Sequence, residues 1–145
     1  MEKRANPYMA LATCFFVGRI PLLPGTCASF LTALVILLFP FLCARPFFPL
    51  LFALFSLFVL RRARPKEKDP REIVIDECAG MFMTMLWRSI TPSSLLLGFL
   101  AFRAFDILKP FPIRRLERIG GALGILLDDV LAGIYANIVL FLLRR

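Results

Sequence analysis

"IPLLPGTCASFLTALVILLFPFLCA", Ile20 to Ala44, is a run of 25 residues without a single charge. A helix needs about 20 predominantly apolar residues to cross a hydrocarbon core, so this run predicts at least one membrane crossing. The whole chain leans the same way. Of its 145 residues 59% are hydrophobic and 16 are phenylalanine, above the roughly 45–50% apolar share of soluble domains. Three further uncharged runs, Phe47 to Leu60, Ser89 to Phe102 and Val130 to Leu143, hold 14 residues each. Each is long enough to span only if polar residues complete its ends.

In lipid every backbone polar group must find a partner within the protein. The alternating ten-residue strands of a barrel are missing, so helices are expected. The length suits one domain, 1–145. The expected architecture is all-α: a membrane-embedded bundle of about four to five apolar helices. Turn signals place a short helix near Tyr8 to Val17, a turn at "RIPLLPGT", and a helix from about Cys27 to Leu42. Pro46 opens another that ends near Leu60. Later helices are expected at Ile73 to Trp87, Ser93 to Lys109 and Gly124 to Leu142.

The net charge is +8, which could suggest nucleic acid. The basic residues, however, sit beside apolar segments, as in "RRARPKEK" (Arg61 to Lys68) and "RRLER" (Arg114 to Arg118). That placement fits anionic headgroups and cytoplasmic loops better. Arg144 and Arg145 would then lie outside, a mild exception to the positive-inside tendency. The N-terminal "MEKRANP" leads to no clean cleavage site and is expected to stay. Cys14, Cys27, Cys43 and Cys78 form no CxxC pair and the chain has no histidine, so a zinc site lacks its usual partners. The cysteines read as small apolar residues.

Four polar clusters interrupt this sequence: "PGTCAS" (Pro24 to Ser29), Asp76–Glu77, "FRAFDILKP" (Phe102 to Pro110) and Asp128–Asp129. On the topology above all four fall at cytoplasmic helix ends. Charges near lipid are costly and usually face a partner or a polar cavity, so these are expected to face one another. Arg103, Asp106 and Lys109 are spaced i, i+3, i+6, predicting a ladder along one helix side that Pro110 terminates. Asp129, Gly133 and Asn137 recur every four residues, a polar and small stripe that lets a second helix approach.

Each cluster also has a plain structural reading. "PGTCAS" could be an ordinary capped turn, the acidic pairs could complement helix dipoles, and the ladder could join two helices. Their common location favours chemistry. Five carboxylates without histidine or paired thiolates suit a hard cation such as Mg²⁺, leaving Arg103 and Lys109 for a phosphate. Thr26 and Ser29, near expected helix N-terminal amides, could also meet an anion. Histidine-based phosphotransfer is excluded by composition, and neither C-x5-R nor D-x-D-x-T occurs. Metal-assisted attack by water or a carboxylate nucleophile remains.

The segments "PLLPGTCAS", "KDPREIVIDECAG", "FRAFDILKPFPIRRLER" and "GILLDDVLAGIYA" stand in the order and approximate spacing of a known family. Across nearly its whole length the chain resembles phosphatidylglycerophosphatase A, a bacterial membrane phosphatase. It departs from that pattern at Ala28 and Ala122, where the family usually has glycine. The changes affect backbone freedom rather than charge.

The resemblance implies Mg²⁺-dependent hydrolysis of phosphatidylglycerophosphate to phosphatidylglycerol and inorganic phosphate. The carried-over residues are Thr26, Ser29, Asp76, Glu77, Arg103, Asp106, Lys109, Asp128 and Asp129. The expected metal ligands come from Asp76, Glu77, Asp128 and Asp129; these four and Asp106 are the expected catalytic group. Thr26, Ser29, Arg103 and Lys109 are expected at the phosphate. The setting would be the bacterial inner membrane, multi-pass, with the site facing the cytoplasm. The partners would be the lipid phosphomonoester and the membrane, not nucleic acid. The rival readings are a small cation or lipid transporter subunit with intramembrane carboxylates and a structural lipid-binding partner.

Overall fold

The computed structural model describes residues 7–63 and 71–143. Much of the "RRARPKEKDPRE" loop, Arg144, Arg145 and the first six residues therefore lie outside the described part. Within it the chain forms α-helices and one short 3-10 turn, with no strand among the described residues. The helices are α1 (Pro7–Ala12), α2 (Pro24–Leu38), α3 (Phe41–Ala44), α4 (Phe47–Ala63), α5 (Ile75–Thr84), α6 (Pro92–Leu108), α7 (Ile113–Glu117) and α8 (Gly121–Leu143).

Local chemistry explains most of these boundaries. Pro24 occupies the first turn of α2, where its missing N–H costs nothing. The "PGT" segment expected as a turn is therefore the first turn of that helix. Thr91 caps α6 through a reciprocal box with Ser94, followed by Pro92. Lys109, with φ 44°, ends α6 in the left-handed region, and Pro110 prevents continuation. Gly120 and Gly121, at φ 71° and 63°, turn the chain from α7 into α8 with backbone angles that other residues resist.

The bundle is organised around α5. This ten-residue helix is buried along almost its whole length and is surrounded by α2, α4, α6 and α8. Its tightest approach is to α8. A Cβ on Gly133 would fall on the carbonyl oxygen of Gly80, and one on Gly80 would lie 2.7 Å from the carbonyl of Asp129. The small stripe expected on α8 thus brings two backbones into direct contact.

One turn further along that stripe, the Asn137 amide donates to the carbonyls of Thr84 (2.8 Å) and Leu86 (2.7 Å). It satisfies acceptors that the end of α5 would otherwise leave unmade. Arg88 in turn donates to the Asn137 side-chain oxygen at 3.1 Å. Met81, Phe82, Met85 and Phe102 fill the core between these helices. Met81, Met83 and Met85 are all buried.

The outside is strongly apolar. Leu34 and Leu38 on α2, Leu51, Leu54 and Phe58 on α4, Leu96 and Leu100 on α6, and Phe141 and Leu142 on α8 are all exposed. A monomer in water rarely shows so continuous an apolar surface. Among the described residues one helix, α8 at 23 residues, is long and apolar enough to cross a membrane. Helices α2, α4 and α6, at 15, 17 and 17 residues, rise roughly 22–26 Å.

The contact at Gly133 yields a direct test. Gly133→Val places a branched side chain against backbone that cannot rotate away, and overpacking of this kind costs about 1–3 kcal/mol or more. Thermal unfolding in detergent should show a clearly lowered midpoint. A variant as stable as the parent would contradict this packing.

Candidate active site

The ends of α2, α5 and α6 and the third turn of α8 enclose a cleft of about 900 Å³. Asp76, Glu77, Arg103, Asp106, Lys109, Asp128 and Asp129 all line it, joined by Arg19, Gly25, Arg71 and Glu72. Seven of the nine residues singled out in the sequence are therefore brought to one wall-to-wall space. Thr26 and Ser29 are not among its lining residues. Ser29 is fully buried, and its hydroxyl donates to the Gly25 carbonyl at 2.8 Å. The helical phase of α2 turns that hydroxyl back onto its own helix.

The cations are already engaged. Arg103 pairs with Asp106 one turn along α6. Lys109 lies past the last helical residue, so the expected ladder changes course there: its ammonium reaches across to Asp128 on α8 at 3.0 Å. Asp128 also accepts from the amide of Asp129 at 3.1 Å. Both ion pairs are largely shielded from solvent, with side chains 10–20% exposed. Such pairs are screened far less than surface ones.

Three carboxylates remain. Asp76, Glu77 and Asp129 can bring one oxygen each within 4.8 Å of one another. Asp76 Oδ1 and Glu77 Oε2 are buried without a hydrogen-bond partner. Like charges this close and this dry oppose one another's ionisation unless a cation or protons intervene. An all-oxygen donor set of this kind fits a hard divalent cation. Asp128, also expected among the ligands, lines the same cleft and is paired with Lys109.

Gly25 has a role that the sequence did not disclose. A Cβ there would fall on Glu77 Oε1 and lie 3.3 Å from Arg103 Nη1, so the absent side chain is the space these two groups occupy. The glycine of "PGT" is the local signal for it, and in sequence it looks the same as an ordinary turn glycine. Arg19 and Glu72 at the rim, 3.6 Å apart and about half exposed, were also missed. Arg19 ends the short 3-10 turn and Glu72 lies in the turn before α5, both outside any periodic helix pattern, and a surface pair of this sort contributes little stability.

A helical bundle with a cleft at one end, a carboxylate trio and two tethered cations is the equipment of an enzyme that handles a phosphate group. Comparison with known proteins agrees. The model of the family described as Phosphatidylglycerophosphatase A matches residues 10–144, and the chain belongs to that family of phosphatases. The chain is 38% identical over 146 residues to "Phosphatidylglycerophosphatase A" of Haemophilus influenzae, covering 96% of this chain and 90% of the relative. It is 33% identical over 158 residues to the Escherichia coli protein of the same name, covering 96% and 84%. A Bacteroides thetaiotaomicron protein named "Putative phosphatidylinositol-3-phosphatase" is 32% identical over 150 residues, covering 92% and 91%. No solved structure gives a significant match.

The space at Gly25 can be probed with one methyl group. Gly25→Ala should fold, because only the flexible ends of Glu77 and Arg103 need move, yet displace both from their places. Misplacement of about 1 Å in a site can cost up to about a hundredfold in rate. Circular dichroism should be unchanged while phosphatase turnover falls by at least about tenfold; unchanged turnover would contradict the packing of Glu77 on α2.

Proposed function

We propose that this protein hydrolyses the terminal phosphomonoester of phosphatidylglycerophosphate, releasing inorganic phosphate and phosphatidylglycerol, with Mg²⁺ as its cofactor. The reaction serves phospholipid synthesis at the cytoplasmic face of a bacterial inner membrane. Family membership and the names of the Haemophilus and Escherichia relatives support the substrate. The observation that carries the chemistry is the charge pattern: two cations are paired off, and three carboxylates, buried at Asp76 and Asp129 and partly buried at Glu77, stand together.

Asp76, Glu77 and Asp129 would hold the cation. When bound, it supplies positive charge to phosphate oxygens and lowers the pKa of coordinated water. The chain itself does the rest. Arg103 and Lys109 lie in the cleft wall as guanidinium and ammonium donors for the phosphate. Asp106 and Asp128 fix their positions before substrate arrives, so the charges need little reorganisation as the P–O bond to glycerol breaks. Water adds oxygen to phosphorus, and its protons are shared between the leaving alkoxide and the site's carboxylates. Thr26 and Ser29, away from the cleft lining, take no part in this scheme.

The exposed apolar faces of α2, α4, α6 and α8 would lie against acyl chains, making the protein a multi-pass bundle with its cleft at one membrane face. That arrangement leaves the diacylglycerol portion in the bilayer while only the headgroup enters. Beyond the carboxylates the interior is occupied by Met81, Phe82, Met85 and Phe102. This favours chemistry at one face over a transport path.

Phosphate release from phosphatidylglycerophosphate by purified protein in detergent is the deciding measurement. Release is expected with Mg²⁺ and absent with excess chelator. Asp76→Asn and Asp129→Asn, folded by circular dichroism, should each lose at least about a hundredfold in turnover. Chelator-resistant release would refute the cofactor, and no release from folded protein would refute the substrate.

A further inference from the structure

We infer that Cys14 and Cys78 form an oxidisable dithiol beside the carboxylate cluster, closed to a disulfide by a peroxide-class oxidant and reopened by thiol reductants. Their sulfurs lie 3.5 Å apart although 64 positions separate them in the chain. Cys78 directly follows Glu77 on α5 and is buried, whereas Cys14 is half-buried in the turn after α1. The other two thiols point elsewhere. Cys27 faces the Leu22 carbonyl and Cys43 the Phe82 carbonyl, each at 3.8 Å.

The turn that carries Cys14 is held in an unusual form. Cys14, Phe15 and Phe16 take φ of 46°, 52° and 74°, three successive non-glycine residues in the left-handed region. Such conformations persist only where surrounding structure imposes them. Here the amide of Phe15 donates to the Ala10 carbonyl (2.8 Å) and that of Gly18 to Thr13 (3.0 Å), while the amide of Val74 donates to Ala12 (3.0 Å). A Cβ on Gly18 would fall on the Glu72 carbonyl. The turn is therefore braced against the segment that leads into α5, and Cys14 is delivered to Cys78 by backbone contacts on both sides.

A disulfide requires sulfurs about 2.05 Å apart, so closure draws the first turn of α5 and the Cys14 turn together. The more accessible Cys14 thiol reacts first: hydrogen peroxide converts it to a sulfenic acid and releases water. The Cys78 sulfur then loses its proton and attacks the Cys14 sulfur, expelling the sulfenic oxygen as a second water. Two electrons pass from the thiols to one peroxide. The bond would pull on the residue next to Glu77, so oxidation should lower activity. This activity effect rests on the function proposed above; formation of the bond does not.

The test uses the full chain in detergent, treated with hydrogen peroxide, alkylated, digested and mapped by mass spectrometry. A linked Cys14–Cys78 peptide pair is expected, lighter by two hydrogens than its free partners and lost after dithiothreitol. Phosphate release should fall about tenfold and return on reduction. Cys14→Ser should keep basal activity and resist the oxidant. If Cys14 and Cys78 stay alkylatable under oxidation, the dithiol is refuted. If Cys14→Ser is inactivated as readily as the parent, the link between this bond and the site is refuted. Should the protein release no phosphate under any condition, peptide mapping still decides the dithiol, separately from the proposed function.

Discussion

The backbone contact between Gly80 and Gly133 is the constraint on which the arrangement depends. Two helices that meet without side chains between them have little freedom to slide or roll. That contact brings the first turn of α5, with Asp76 and Glu77, alongside Asp129 on α8. It therefore sets three like charges close together in a poorly solvated place, a configuration that folding energy alone disfavours. The rest of the bundle works to keep it: Asn137 holds the far end of α5, and Arg103 and Lys109 absorb the two remaining carboxylates.

A division of labour follows from the ion pairs. Arg103 and Lys109 could have been left pointing into solvent, where each would sample many rotamers and lose that freedom on meeting a phosphate. Pairing them in advance with Asp106 and Asp128 spends this entropy during folding. The tethering acids hold the cations at the border of the trio, where Asp106 also meets Asp129. Five acidic residues that look equivalent in sequence thus separate into two groups, according to whether they pair directly with Arg103 or Lys109.

Much of this was legible in the sequence, for identifiable reasons. Thr91–Pro92 and Lys109–Pro110 are strong helix boundaries, and α6 runs between them as expected. The convergence of Asp76, Asp106 and Asp129 followed from asking where charges could go in so apolar a chain. The Asp129, Gly133, Asn137 stripe announced a close helix partner without naming α5. What stayed hidden depended on contacts between distant segments. Lys109 turns to Asp128 because the chain leaves the helix there, Ser29 turns inward because of the phase of α2, and nothing local brings Cys14 to Cys78. The end of α5 was equally obscure, since the sequence remains apolar through Trp87. Its last carbonyls are taken by Asn137, and the Trp87 amide goes to Cys43 instead.

Because α5 is fixed at both ends, its residue count is as much a part of the design as its composition. Adding one residue to a helix rotates everything beyond it by about 100° and advances it by about 1.5 Å. An insertion between Glu77 and Thr84 would therefore leave either the acidic end or the Asn137 end out of register, with the glycine contact between them offering no slack. A substitution along α5 alters one neighbour at a time, but a change of length disrupts the helix as a spacer. In this protein the length of the ten-residue strut is fixed as firmly as the glycine at its middle and the two acids at its start.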